Sequence, residues 1–257
     1  MSRLSTQKDE CFIVVKALPH RSSDYFETVC CAGLGRDGRW RRLYPVPFRI
    51  LERGSQFKRW DWIEYEYTSP KTDDRWESQR VDADTLSVSK ALTISQRPAF
   101  INPLIRASLV EAADRGESLA LVRPRNLDFT AKRKSDAMVA DETRKHAEYA
   151  RQYTMFDKPV DPMKPCPFSF HVKWADQDGR VHNHTCDDWE TTTAFYRRSK
   201  NLGDKAGIVS LKETYENDYM RRGMALAFST HSRRKSQWLL VGMIRIDEDN
   251  QSDLFLS

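Results

Sequence analysis

The chain has no run of about 18 consecutive apolar residues, so no helix is expected to cross a membrane. Its first residues, MSRLSTQKDE, lack the apolar core of a signal peptide, which leads us to expect a cytoplasmic protein. There is no cysteine framework either. Five cysteines, an odd number, stand at irregular spacing (Cys11, Cys30, Cys31, Cys166 and Cys186) and read as free thiols of a reducing compartment. The short catalytic signatures are also missing: no Walker loop, no G-x-G-x-x-G, no H-E-x-x-H and no G-x-S-x-G. Glu64 and Glu66 are not followed by the E-x-K pattern of a familiar nuclease motif. These absences leave charge, aromatic content and spacing to carry the reading.

Of 257 residues, 39% are hydrophobic, and 12 Phe, 9 Tyr and 7 Trp are present, which fits a folded chain of one large or two small domains. The formal net charge is only +5, but eight basic residues between Arg36 and Arg59 face only Asp37 and Glu52, so this segment holds net +6 and the remainder about −1.

Apolar, β-branched runs predict strands at 10–18, 25–34, 39–48 and 60–67, the second and third joined as a hairpin through GRDG. The alternation of WDWIEYEY slips at Ile63, which predicts a bulge or a covered outer face. Residues 68–80 read as an exposed loop, 99–115 as a helix stopped by Gly116, and 118–124 as a strand. Residues 135–153 form a charged helix with Ser135 as its cap. The proline-rich stretch 155–167 reads as a linker. Beyond it, 168–174 and 180–186 form a hairpin, 188–200 and 212–222 helices, and 224–230 and 237–246 strands joined by HSRRKS. The fold class expected is α+β: two small strand-rich, OB-like units with inserted helices, at 1–154 and 155–257.

NHTCDDWE carries three readings. On a strand His182, His184 and Cys186 share one face, a metal-capable set, and a hairpin pairing residues 175 and 180 would bring His171 opposite His184. Asp187 and Asp188 each sit where strand becomes helix, Asp187 with Glu190 spells the D-x-x-E form of a capping box, and a helix start at one of the two is the plainest account of the acids. The alternative is an acidic cluster, Asp187, Asp188 and Glu190, holding a divalent metal or positioning a water, with His231 and Arg233 as acid or phosphate clamp in a nuclease or other phosphate-ester hydrolase. No cofactor other than such a divalent metal is expected.

The basic segment interleaves Arg39, Arg41, Arg42, Arg49, Lys58 and Arg59 with Trp40, Tyr44, Phe48, Phe57 and Trp60. Cations neutralise phosphate and aromatic rings stack on bases, so this pattern points to DNA or RNA, with Arg39, Trp40, Arg41, Arg42, Tyr44, Arg49, Lys58 and Arg59 as contacts. Positive charge also guards an edge strand, the plainer alternative. Arg233, Arg234 and Lys235, on a loop between two strands, add a second basic site. A third reading is a subunit that uses exposed tryptophans as anchors for a protein partner.

TVCCAGLGRDGRWRRLYPVPFR, HTCDDWE and LAFSTHSRRKSQWLLVGMI together resemble uncharacterised prokaryotic proteins similar to dual-OB proteins of defence and mobile-element neighbourhoods, over residues 25–67 and 166–246. The resemblance implies nucleic-acid or nucleotide binding, with an accessory role in antiviral defence, and transfers no catalytic residue. Relatives often carry a cysteine pair before the DWE segment. Here WADQDGRVHNH has none, which counts against zinc.

Overall fold

The structure, a computed structural model, describes residues 5–18, 20–21, 27–154 and 161–248. Its strands are β1 (Gln7–Lys16), β2 (His20–Arg21), β3 (Glu27–Leu34), β4 (Trp40–Val46), β5 (Asp61–Thr68), β6 (Ser78–Ala91), β7 (Ile105–Arg106), β8 (Leu119–Val122), β9 (Asn126–Arg133), β10 (Phe168–Ala175), β11 (Val181–Thr185), β12 (Met224–Thr230) and β13 (Trp238–Arg245). Its helices are α1 (Arg97–Ile101), α2 (Leu109–Asp114), α3 (Asp136–Thr154), α4 (Trp189–Leu202) and α5 (Asp204–Glu213), the last running into a π-helical turn at Thr214–Tyr219. The class is mixed α+β, as expected. Among the described residues no helix is long and apolar enough to cross a membrane.

Two compact units share the chain: Met1–Ala91 with Ala131–Ser169, and Leu92–Thr130 with Phe170–Ser257. This differs from a single division at 154/155, because the chain passes between units three times and Leu92–Thr130 joins the later strands, while α3 stays with the first strands as expected. Residues 155–160 of the expected linker lie outside the described residues.

In the first unit, β1, β5, β6, β4 and β3 pair in that order and β3 pairs back on β1, so the five strands close into a barrel; β2 adds to β3. Of the barrel pairings only β4–β6 is parallel. Closure removes the exposed edges that an open sheet leaves. The wall is apolar where the sequence shows apolar runs: Phe12, Ile13, Leu34, Leu43 and Ile63 are fully buried, each worth roughly 1.5–3 kcal/mol against exposure. At Ile63 the slip in alternation marks real irregularity, since the β5–β6 register shifts between Asp61 and Ile63 and again between Glu64 and Glu66.

The second unit has a four-stranded sheet, β13–β12–β8–β7, and a three-stranded sheet, β11–β10–β9, linked by a parallel bridge between Cys186 and Leu240. Phe129, Phe170, Phe195 and Tyr215 form one aromatic cluster in its core, with neighbouring ring centroids 5.1–5.6 Å apart. The segment 99–115 is not one helix. Ser108 accepts a hydrogen bond from the Glu111 N–H and starts α2 afresh, while Pro103 lies in a 3₁₀ turn that follows α1. Gly116, at φ 69°, ends α2 as expected.

Candidate nucleic-acid interface

The two basic stretches meet different fates. Arg41 of β4 bonds Asp9 of β1 at 2.6 Å and Asp37 at 3.1 Å, and Gln79 of β6 bonds the same Asp9 oxygen at 2.7 Å. Neither β4 nor β6 is next to β1 in the sheet, so these side chains point into the barrel. Tyr65 completes the plug, donating to Gln79 at 2.6 Å. Burial disfavours the Arg41 charge, yet the hydrogen bonds to Asp9 and Asp37 leave the guanidinium more basic than usual. Arg42, 6% exposed, donates to Glu77 at 3.0 Å in a buried ion pair. Burial, with Arg75 nearby, lowers its pKa. Trp40 is buried as well.

Arg41, Arg42 and Trp40 are therefore structural in this fold, a correction to their expected place on a binding face. Arg36 is paired with Glu10 and lies over the Trp62 ring, 4.5 Å from its centroid. Arg49 donates to the Asp161 carbonyl, and Arg49, Arg59 and Tyr44 are half-buried. Arg39 and Lys58 stay exposed. Half of the +6 counted along the segment is thus offset by Asp9, Glu10 and Glu77, which lie outside it.

The loop between β12 and β13 is built differently. Thr230 pairs with Trp238, the His231 N–H donates to the Gln237 carbonyl at 2.9 Å, and the Gln237 N–H donates to the Arg234 carbonyl at 2.8 Å. The His231 ring closes the turn: its Nδ1 accepts the N–H groups of Arg233 at 3.1 Å and Arg234 at 3.3 Å. Arg233, Arg234 and Lys235 are exposed on this tip. No ion pair of Arg233 or Arg234 is seen among the described residues. His231, proposed from sequence as a proton donor, serves here as a turn acceptor.

The stretch NHTCDDWE resolves in detail. His182 and His184 share one face of β11 and Cys186 follows the strand in a bridge to Leu240, but Ala175 pairs with Val181, so His171 faces Thr185 and not His184. His182 Nε2 lies 2.8 Å from the buried Asp176 carboxylate and stacks on Trp174, with centroids 4.5 Å apart. Burial tends to raise the Asp176 carboxyl, but hydrogen bonds from His182 and the Arg180 N–H hold it below the usual carboxylate range. Trp174 donates its indole N–H to His184 Nδ1 at 3.2 Å, and burial, with His182 adjacent, pushes His184 down to about 4. Cys186 is buried beside Thr191, and burial raises its thiol well above the ordinary value. Each of the three has a protein partner, and among the described residues no group of three or more His, Cys, Asp or Glu side chains is arranged to hold a metal.

The helix cap is Asp188, not Asp187. Its Oδ1 accepts the Glu190 N–H at 3.0 Å; its Oδ2 accepts the Thr191 hydroxyl at 3.3 Å and the Met243 N–H at 3.1 Å. At 1% exposure it ties the start of α4 to β13, and Thr191 extends the network to the Tyr215 hydroxyl at 2.9 Å. Asp187 and Glu190 are half-buried flanks, and the backbone of Asp187 bonds Leu240. One side chain the sequence reading passed over is Trp76, 64% exposed on the loop before β6. Its only signal in the sequence was tryptophan within a polar, turn-rich stretch.

Fold and interface together define a two-unit α+β protein with a closed five-stranded barrel in one unit and a cationic hairpin tip in the other. A family model described as Domain of unknown function (DUF8758) matches residues 7–103, and one described as Domain of unknown function (DUF8757) matches residues 105–257. The second match spans more than half of the chain, which belongs to that family. No curated protein matches it.

Proposed function

We propose that this protein binds DNA or RNA through the phosphate backbone, with Arg233, Arg234 and Lys235 as the principal cations and Arg39 and Lys58 as further contacts. The observation that carries the reading is the β12–β13 tip: three consecutive basic side chains exposed on a turn that His231 holds in shape. A preorganised cationic loop loses little conformational freedom on meeting a polyanion, and counterion release supplies the driving force. The barrel adds support as an OB-type unit. Its first strand pairs with the second and fourth, and its third pairs in parallel with the fifth. Barrels of that type commonly receive oligonucleotides, an argument from fold analogy. The resemblance to dual-OB proteins of defence neighbourhoods adds an accessory role there, to be tested by the genes found beside this one. A hydrolase built on Asp187, Asp188 and Glu190 is not favoured, since both Asp188 oxygens are engaged by the α4 cap and by Met243.

The test is a salt titration. Log affinity should fall linearly with log salt, and Arg233→Ala with Arg234→Ala should flatten the slope by roughly 1.5–2. No wild-type binding at about 50 mM salt, or an unchanged slope in the double variant, overturns the proposal.

A further inference from the structure

Four of the seven tryptophans (Trp40, Trp60, Trp62 and Trp174) are buried and Trp189 and Trp238 are half-buried, whereas Trp76 is 64% exposed. Its loop is well tied. Asp73 holds the Arg75 guanidinium through Nε at 2.7 Å and accepts the Ser78 hydroxyl at 2.8 Å. The Ser78 N–H donates to the Arg75 carbonyl at 3.0 Å, and the Arg42 N–H donates to the Glu77 carbonyl at 2.8 Å. The polar groups on both sides of Trp76 therefore fasten the backbone that carries it, and a large ring is presented to water on a rigid mount.

We propose that Trp76 is a stacking platform for an unpaired base, so that the nucleic acid this protein takes is single-stranded; the inference rests on the binding reading above. Three features select a base as the occupant. The ring stands nearly alone: among the described residues of its unit, Met138 is the only other large apolar side chain so exposed, so no contiguous apolar patch for a protein partner accompanies it. Of the loop's three acids, Asp73 and Glu77 are engaged by Arg75 and Arg42 and Asp74 is exposed, so the repulsion a phosphate chain would meet here is reduced to that of one carboxylate. And β6 leads from the loop to exposed Arg80, which is the register partner of the half-buried Tyr44 of β4, so a cation and a second aromatic residue sit at adjoining positions on the wall. A planar π-face beside a cation suits a base and its phosphate, and bases in a duplex offer no free face.

The experiment uses the full chain with mixed-sequence DNA and RNA oligonucleotides, each single-stranded and annealed to its complement. Wild type should favour the single strands. Trp76→Ala should weaken single-strand affinity about tenfold, Trp76→Phe should retain most of it, and the salt slope should stay as in wild type because no cation is lost. An exposed ring leaves folding intact, which thermal melting of both variants verifies. Single-strand affinity unchanged in Trp76→Ala but reduced in Arg233→Ala with Arg234→Ala overturns the stacking platform and leaves nucleic-acid binding standing. A wild-type preference for duplex also overturns it. If wild type binds neither form, the inference falls together with the reading beneath it.

Discussion

The basic segment around β4 and the basic tip between β12 and β13 look alike in sequence and act oppositely in the fold. In the first, Arg36, Arg41 and Arg42 reach carboxylates on other elements: Glu10, Asp9 and Asp37, and Glu77. In the second, Arg233 and Arg234 extend from a turn that has spent its own hydrogen bonds on itself. Charge summed along a segment measures what must be neutralised, and only the pairing across strands decides what remains to meet a ligand. In a closed barrel every other side chain of a strand faces the lumen, so a run of arginines along one strand cannot all be surface.

The largest expected effect tests the paired side of that contrast. Arg42→Ala should cost about 3–5 kcal/mol, because Glu77 is left buried and charged without its partner. Arg42→Met with Glu77→Leu should recover much of that loss, since two apolar groups need no pairing. Chemical denaturation of the single and double variants measures both. A single variant as stable as wild type would mean that the pair is open to water, and the contrast would collapse.

Next comes the buried cap. Asp188→Ala removes an acceptor serving Glu190, Thr191 and Met243 and should cost about 2–3 kcal/mol. Asparagine at this site should fall between, because its amide turns one acceptor into a donor facing the Met243 N–H or the Glu190 N–H. Either change at Asp187 should cost less than about 1 kcal/mol. Equal losses at the two positions, read as midpoint shifts in denaturant, would show that the cap is shared.

Much of this was legible in advance. Both hairpins, 25–48 and 168–186, follow from apolar runs meeting at glycine turns, and the structure forms β3 with β4 and β10 with β11 there. β6 was not legible. Only Ser78, Gln79, Val81 and Leu86 of its residues SQRVDADTLSVSKA are buried, two of them polar, so the sequence shows no apolar run and no sustained alternation. β9 does alternate, with Leu127, Phe129 and Ala131 against Asn126, Asp128 and Thr130, and was passed over because the alternation is short and buries Phe129 alone. The sequence left the capping aspartate open between Asp187 and Asp188, because D-x-x-E fits Asp187 while the cap is set by which carboxylate turns inward to Met243. Ion pairing between Arg41 and Asp9, 32 residues apart, leaves no local pattern at all.

A titration extends the contrast to the histidines. His184 is held at about 4 by burial and by His182, with Trp174 donating to its Nδ1, whereas an unfolded histidine titrates near 6.5. Its folded pKa is depressed, so the stability it contributes is complete above pH 6.5 and is lost as pH falls toward 4, when the unfolded chain takes up the proton first. Between pH 7.5 and 5 this amounts to about 2 kcal/mol. His184→Gln keeps an acceptor for Trp174 without a titrating group, and should flatten that part of the stability–pH curve. Asp176, held below the usual carboxylate range and facing His182 and the Arg180 N–H, contributes in a lower window, lost as pH falls below its unfolded value near 3.9. An identical curve for His184→Gln would place the acid sensitivity elsewhere.

The smallest effect on folding belongs to the residues assigned the largest effect on binding. Arg233→Ala with Arg234→Ala should change stability by less than about 0.5 kcal/mol, because neither side chain is ion-paired among the described residues and His231 draws its hydrogen bonds from backbone N–H groups that alanine retains. His231→Ala removes that acceptor and should cost about 1 kcal/mol while leaving both cations in place. Comparing the three variants in one melting series and one salt titration separates the loop's shape from its charge. If His231→Ala weakens binding as much as the double arginine variant does, the preorganised turn matters as much as the cations it carries. If only the arginine variant weakens binding, the tip acts through charge alone. Loss of stability in the arginine variant would reveal partners for these side chains and remove the distinction between the two basic segments.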